Sequence, residues 1–289
     1  MTRRSILAAR LAATTLLCTG LATTTAAEEL PVRTDVISHE TTRDIHVWAP
    51  ASKGAYPVVY AMHGTCDLCG RGWDVIGEAL AASGVVVFGA DYHGTDYQEG
   101  RFDRMTQELE CGYRFARESA ADFGGDLEQP VVFIGHSWGA TMALAGGLDH
   151  EQFVPDGSYD ACFEGAERPD AIVAIAGCHY EHQGMRFGFD AAAYGSDDAT
   201  TILVGGANDE ECAAWQSVDA AAELAAIGRD ATSEVIPDAN HHTLIGHDIV
   251  DDEWITVADH PAAGRVVQVI LDTIDHADGA PEGVPQPSD

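Results

Sequence analysis

The stretch VVFIGHSWGA, residues 131–140, joins an unbroken apolar run to a serine held between two glycines. With Pro130 before it, the run reads as a strand covered on both faces, as the strands of a parallel sheet are. The residues that follow, WGATMALAGG (138–147), are small and apolar and read as a helix. A serine at the corner between the two turns the chain sharply, which strains its own backbone and crowds neighbouring main chain. Glycine at 135 and 139 keeps side chains out of that crowd. In an open parallel sheet ligands collect at the carboxyl ends of strands, and Ser137 stands at one.

Outward from this corner the same rhythm recurs. PVVYAMHG (57–64), VVVFGADY (85–92), AIVAIAGC (171–178), TTILVGGAND (200–209) and TSEVIP (232–237) read as further strands. LPVRTDVISHETTRDIHVWAP (30–50) alternates apolar and polar residues and predicts an antiparallel hairpin at the sheet edge. Helical spacing appears at Trp73, Ile76 and Leu80, over 101–123, at Trp215, Val218 and Ala222, and at Val267, Ile270 and Ile274. Gly84, Gly124 and Gly228 stand where these helices should stop. Strands alternating with helices predict an α/β fold, a mostly parallel central sheet with helices on both faces.

The 289 residues fit one domain, expected over 28–275. HADGAPEGVPQPSD (276–289) has little to bury and is expected to be a disordered tail. Residues 1–27 carry Arg3 and Arg4, an Ala/Leu/Thr middle interrupted by Arg10, and a small-residue end before Glu28. They read as an export signal, by the twin-arginine or the general route, to a secreted or periplasmic destination. Cys18 follows the bulky Leu16 and Leu17, which disfavours lipid attachment. No later run approaches the roughly 20 apolar residues of a membrane span.

Lys and Arg total 15 against 47 Asp and Glu, a formal net charge of −32. Such a field repels phosphate backbones and anionic lipid, so nucleic acid is excluded as a partner. The acids have no EF-hand spacing and read as a hydrated surface. Past the leader stand Cys66, Cys69, Cys111, Cys162, Cys178 and Cys212, an even set that predicts disulfides in an exported chain. CDLC (66–69) has the spacing of a redox or zinc pair. With no second pair or histidine pair to complete a zinc site, a disulfide pinning its loop is expected, internal or to distant partners. Cys178 and Cys212 follow neighbouring strand ends and suit a bridge.

GHSWG (135–139), with a strand before and a helix after, resembles the nucleophile elbow of the α/β-hydrolase superfamily. A serine hydroxyl needs a base to take its proton and donors to hold the oxyanion that follows. The resemblance implies where they lie. MHGT (62–65) matches the family's His-Gly motif, which makes the backbone N–H groups of Thr65 and Trp138 the oxyanion donors and His63 structural. ILVGGANDEEC (202–212) supplies the acid, Asp209, with Glu210 and Glu211 expected in the first turn of the next helix. EVIPDANHHTLIGH (234–247) supplies the base, His241, shortly before the last helix, with His242 and His247 as rivals. Serine, aspartate, histidine is the chain order this superfamily uses.

The resemblance covers residues 34–275 and is closest to compact secreted esterases of the dienelactone-hydrolase-like and the cutinase- or polyester-hydrolase-like groups. Dienelactone hydrolases proper use a cysteine nucleophile, and this chain has Ser137. The segment 179–199 is too short for a helical cap, so no large lid is expected; the loop 149–169 is longer and holds Cys162. Asp91 reads as a loop anchor, and the Trp138 side chain either meets the acyl group or packs under its helix. The implied function is a secreted serine hydrolase of small-molecule or polymer-linked carboxylic esters, with no cofactor and no metal. The alternatives are a peptidase or amidase of the same chemistry and a non-catalytic binding protein on the same fold. Oligomeric state is not legible.

Overall fold

The structure is a computed structural model that describes residues 29–38, 43–99, 102–148, 167–182, 185–186, 189–194, 199–251 and 253–279. The expected leader, the 149–166 part of the long loop and residues 280–289 lie outside the described residues. The strands are β1 (Val32–Ile37), β2 (Ile45–Pro50), β3 (Val58–Met62), β4 (Val86–Ala90), β5 (Val131–His136), β6 (Ala171–Ile175), β7 (Glu181–His182), β8 (Met185–Arg186), β9 (Thr200–Gly206), β10 (Ala231–Ile236), β11 (His247–Val250) and β12 (Glu253–Thr256). The helices are α1 (Asp74–Ala82), α2 (Phe102–Ser119), α3 (Trp138–Gly147), α4 (Trp215–Ala226) and α5 (Pro261–Asp278).

Eight strands form one sheet in the order β1-β2-β4-β3-β5-β6-β9-β10. The β1–β2 hairpin sits at one edge, antiparallel, and every pair from β4 to β10 is parallel. Because successive strand residues face opposite ways, each central strand feeds two cores. Val58, Tyr60 and Met62 of β3 point to a cluster with Met105, Leu109, Leu144 and Leu224 from α2, α3 and α4. Val59 and Ala61 point to the other, with Ile76 and Leu80 of α1 and Val266 and Ile270 of α5. Each fully buried Val, Leu, Ile or Met among them contributes about 1.5–3 kcal/mol by leaving water. Gly84, Gly124 and Gly228 carry φ of 89°, 85° and 91°, the left-handed conformation that ends a helix without Cβ strain.

Four expectations need correction. The face of α4 is reversed: Trp215, Val218 and Ala222 are exposed, while Gln216, Ser217, Ala220, Ala221 and Leu224 are buried. Small residues let the helix lie close to the sheet, where even Gly205 leaves no room for a Cβ against Ala214. Glu210 and Glu211 do not open that helix, which starts only at Trp215. Between His241 and the last helix the antiparallel pair β11–β12 intervenes, with Ile249 facing Trp254. Finally, α5 runs to Asp278, past the expected limit at Asp275. No helix among the described residues is long and apolar enough to cross a membrane.

Candidate active site

Ser137 is the residue between β5 and α3, at φ 59° and ψ −123°, a strained backbone for any residue with a Cβ. Its N–H donates to the Ile175 carbonyl at 2.9 Å, which ties the corner to β6. A Cβ on Gly135 would strike the Gly139 carbonyl, and one on Gly139 would strike the carbonyls of Met62 and His63. The two glycines are therefore required by close approach of main chain. On the other side Gly64 packs on the serine: a Cβ there would stand 3.0 Å from Ser137 Cβ and 3.4 Å from its Oγ. The loop carrying Thr65 thus passes directly beside the hydroxyl. The Trp138 side chain is buried and donates its Nε1–H to Met105 Sδ, so it packs against α2.

Asp209 follows β9 with its side chain fully buried. Its Oδ1 accepts the N–H groups of Glu211 (2.9 Å) and Cys212 (2.8 Å), and its Oδ2 accepts Nδ1–H of His241 at 2.8 Å. This local turn around the carboxylate is what delays α4. The bond to Asp209 leaves Nε2 as the unprotonated nitrogen of a neutral His241 ring. The backbone carbonyl of His241 accepts a bond from His136 Nε2 at 2.8 Å, which fixes the ring's base. Burial holds His136 well below the usual histidine range, so it is a neutral donor.

The rival histidines have other partners. His242 Nε2 meets Glu211 Oε1 at 3.1 Å, and His247 Nε2 meets the Gly72 carbonyl at 3.0 Å and Asp74 at 3.3 Å. His63 is buried, stacked on Tyr92 with ring centroids 3.9 Å apart, and bonded to the Gly64 carbonyl. Burial lowers its pKa to about 4, and it serves the loop backbone as expected. Asp91 accepts the Gly70 N–H at 2.6 Å, an anchor for the same loop.

Ser137, His241 and Thr65 line one cavity of about 210 Å³, with Trp73, Ile245 and Trp254 as apolar walls and Glu211 and His242 as polar ones. Cys66–Cys69 and Cys178–Cys212 are disulfides, and Cys111 is disulfide-bonded too. Among the described residues two groups have metal-ligand proximity, His63 with Cys66 and Cys69, and His182 with Cys178 and Cys212. In both the bridged sulfurs are no longer thiolates, the form that binds metal. Among the lining residues, His136, whose partner lies 105 residues away, Ile245 and Trp254 were not singled out from sequence, nor was Glu211 as a cavity wall. Only His136 had a signal, its place inside GHSWG.

A family model described as serine aminopeptidase, S33, matches residues 54–157. Among curated proteins no sequence matches. Solved structures do. Carboxyl esterase 2 from the mycorrhizal fungus Tuber melanosporum is 16% identical, with a TM-score of 0.58 over 90% of this chain and 89% of that one. A thermophilic esterase of the Planctomycetes species Thermogutta terrifontis, propionate-bound, is 16% identical with a TM-score of 0.62 over 87% and 97%. Esterase B from Lactobacillus rhamnosis, inhibited by a tributyrin phosphonate, is 17% identical with a TM-score of 0.61 over 87% and 88%. With the strand order, the strained corner at Ser137 and these likenesses together, the chain has the α/β-hydrolase fold.

Proposed function

We propose that the protein is a serine hydrolase that cleaves carboxylic esters through an acyl-enzyme. The observation that carries this reading is the 2.8 Å bond from His241 Nδ1 to Asp209, made by a ring that lines the same cavity as Ser137. In the reaction Ser137 Oγ attacks the ester carbonyl while its proton passes to His241 Nε2. Asp209 holds the ring in the tautomer that can accept the proton and stabilises the imidazolium. The N–H groups of Thr65 and Trp138 hold the oxyanion, and His241 returns the proton to the leaving alcohol. Water, activated by the same ring, then releases the acid. The cavity is below the roughly 300–1,000 Å³ that drug-sized ligands occupy, which suits a short acyl or alcohol group.

A second reading, a peptidase or amidase of the same chemistry, is favoured by the match to the serine aminopeptidase family model. A p-nitrophenyl ester panel beside a peptide anilide panel separates the two. Ser137→Ala is expected to fold, to lose turnover of every hydrolysed substrate and to escape labelling by a fluorophosphonate probe. Labelling that persists in this variant moves the nucleophile elsewhere.

The same reading has the chain exported, by the twin-arginine or the general route, to a compartment where disulfides such as Cys178–Cys212 persist. Recovery of the protein from outside the cytoplasm with Glu28 at its amino terminus is the expected result; a cytoplasmic protein starting at Met1 would overturn it.

A further inference from the structure

Glu211 occupies an unusual place for a carboxylate. Its Oε2 stands 4.0 Å from Nε2 of His241, the nitrogen that must face the nucleophile, while its Oε1 is held 3.1 Å from His242 Nε2. The side chain lines the cavity and is 44% exposed, so its charge is open to solvent. It is also fixed. Its own N–H is bound to Asp209, and the next residue, Cys212, is bonded both to Asp209 through N–H and to Cys178 through sulfur. The bond to His242 holds its carboxyl below the usual range, so it is ionised throughout neutral pH. Among the described residues that line the cavity there is no lysine or arginine to offset it.

We propose that Glu211 sets the charge preference of this cavity, so that it admits neutral and cationic esters and turns away those with a carboxylate near the scissile bond. The proposal rests on the ester-hydrolase reading above and deepens it. A substrate carboxylate entering beside Ser137 meets Glu211 with no lysine or arginine among the described lining residues to compensate, and the overall charge of −32 adds to the penalty. An ammonium in the same place gains what the carboxylate loses. The carboxylate also favours the imidazolium of His241, so removing it slows all substrates; only the ratio between substrates reports on selection.

The test uses three ethyl esters of the same chain length: ethyl butyrate, the monoethyl ester of succinate, and ethyl 4-(trimethylammonio)butyrate, each followed by ethanol release. The full protein, Glu211→Gln and Glu211→Asp are compared by kcat/KM. In Glu211→Gln the succinate-to-butyrate ratio is expected to rise about tenfold and the trimethylammonio-to-butyrate ratio to fall, as for a partly screened charge pair near a surface. Glu211→Asp retains most of the discrimination. Ratios that stay within about twofold of the full protein in Glu211→Gln overturn the proposal while leaving ester hydrolysis standing. Failure of the full protein to hydrolyse all three, with no labelling of Ser137, overturns the ester reading itself and this proposal with it.

Discussion

At the scale of single residues, two adjacent histidines share one loop and differ only in what their nitrogens touch. His241 gives its Nδ1–H to a buried aspartate, which leaves Nε2 basic, while His242 Nε2 is engaged by Glu211. If His241 is the base, His241→Ala lowers kcat by about 10²–10⁴ or more, whereas His242→Ala, which only frees Glu211 to move, costs about tenfold or less. Turnover of a neutral p-nitrophenyl ester measures both, and the reverse order would exchange their roles. Ser137 was legible at the end of its apolar run, whereas Asp209 and His241 were named only because the resemblance to the superfamily points to the loops after later strands; the fold brings those two within a 2.8 Å bond. Trp254 was not legible, and His136, though it stands inside GHSWG, carried no sign of its partner. Their places depend on contacts between segments far apart in the sequence, which local spacing does not encode.

At the scale of elements, alternation and glycine stops carried most of the information. The runs read as strands all lie in the one sheet, and the β1–β2 hairpin is at its edge. The face of α4 was misread because size was taken as a guide to burial. Trp215 instead lies outside, stacked on Tyr180, and Gln216 turns inward to spend its amide on main chain. Its Oε1 accepts the N–H groups of Tyr180 and Glu181 at 2.8 and 3.0 Å, and its Nε2 donates to the Glu181 carbonyl at 3.0 Å. A polar side chain that satisfies a loop is invisible to an apolar period. The β11–β12 pair was missed for another reason. Its strands are four residues each, too short for alternation to stand out, and its turn uses Asp251 at φ 53°, where glycine would have been the signal. The Cys178–Cys212 bridge was legible from two strand ends, and it joins the end of β6 to the loop in which Asp209 is held.

At the scale of the whole molecule, acid acts through two opposing effects. Protonation brings a chain of formal charge −32 toward its isoelectric point near 4.4 and relieves self-repulsion, which stabilises it as pH falls. Against this stand three of the buried histidines. Burial lowers His63 and His179 to about 4 and His136 well below its usual value, so the folded protein keeps all three neutral. Unfolded, each binds a proton as pH falls through about 6.5, so between there and 4 the unfolded state holds more protons and stability is lost with acid. For His63 and His179 the loss by pH 5 is roughly 2 kcal/mol each. In moderate salt the Debye length is about 8 Å and the long-range repulsion is largely screened, so the histidine effect governs the slope. Urea unfolding is therefore expected to show falling stability from pH 7 to 5. Neither ring nitrogen of His179 has a hydrogen-bond partner among the described residues, and its ring packs on Phe189. His179→Leu is then expected to remove roughly 2 kcal/mol of that fall without removing a hydrogen bond. A variant whose pH 7 to 5 slope equals that of the unaltered protein would mean that His179 takes up its proton in the folded state.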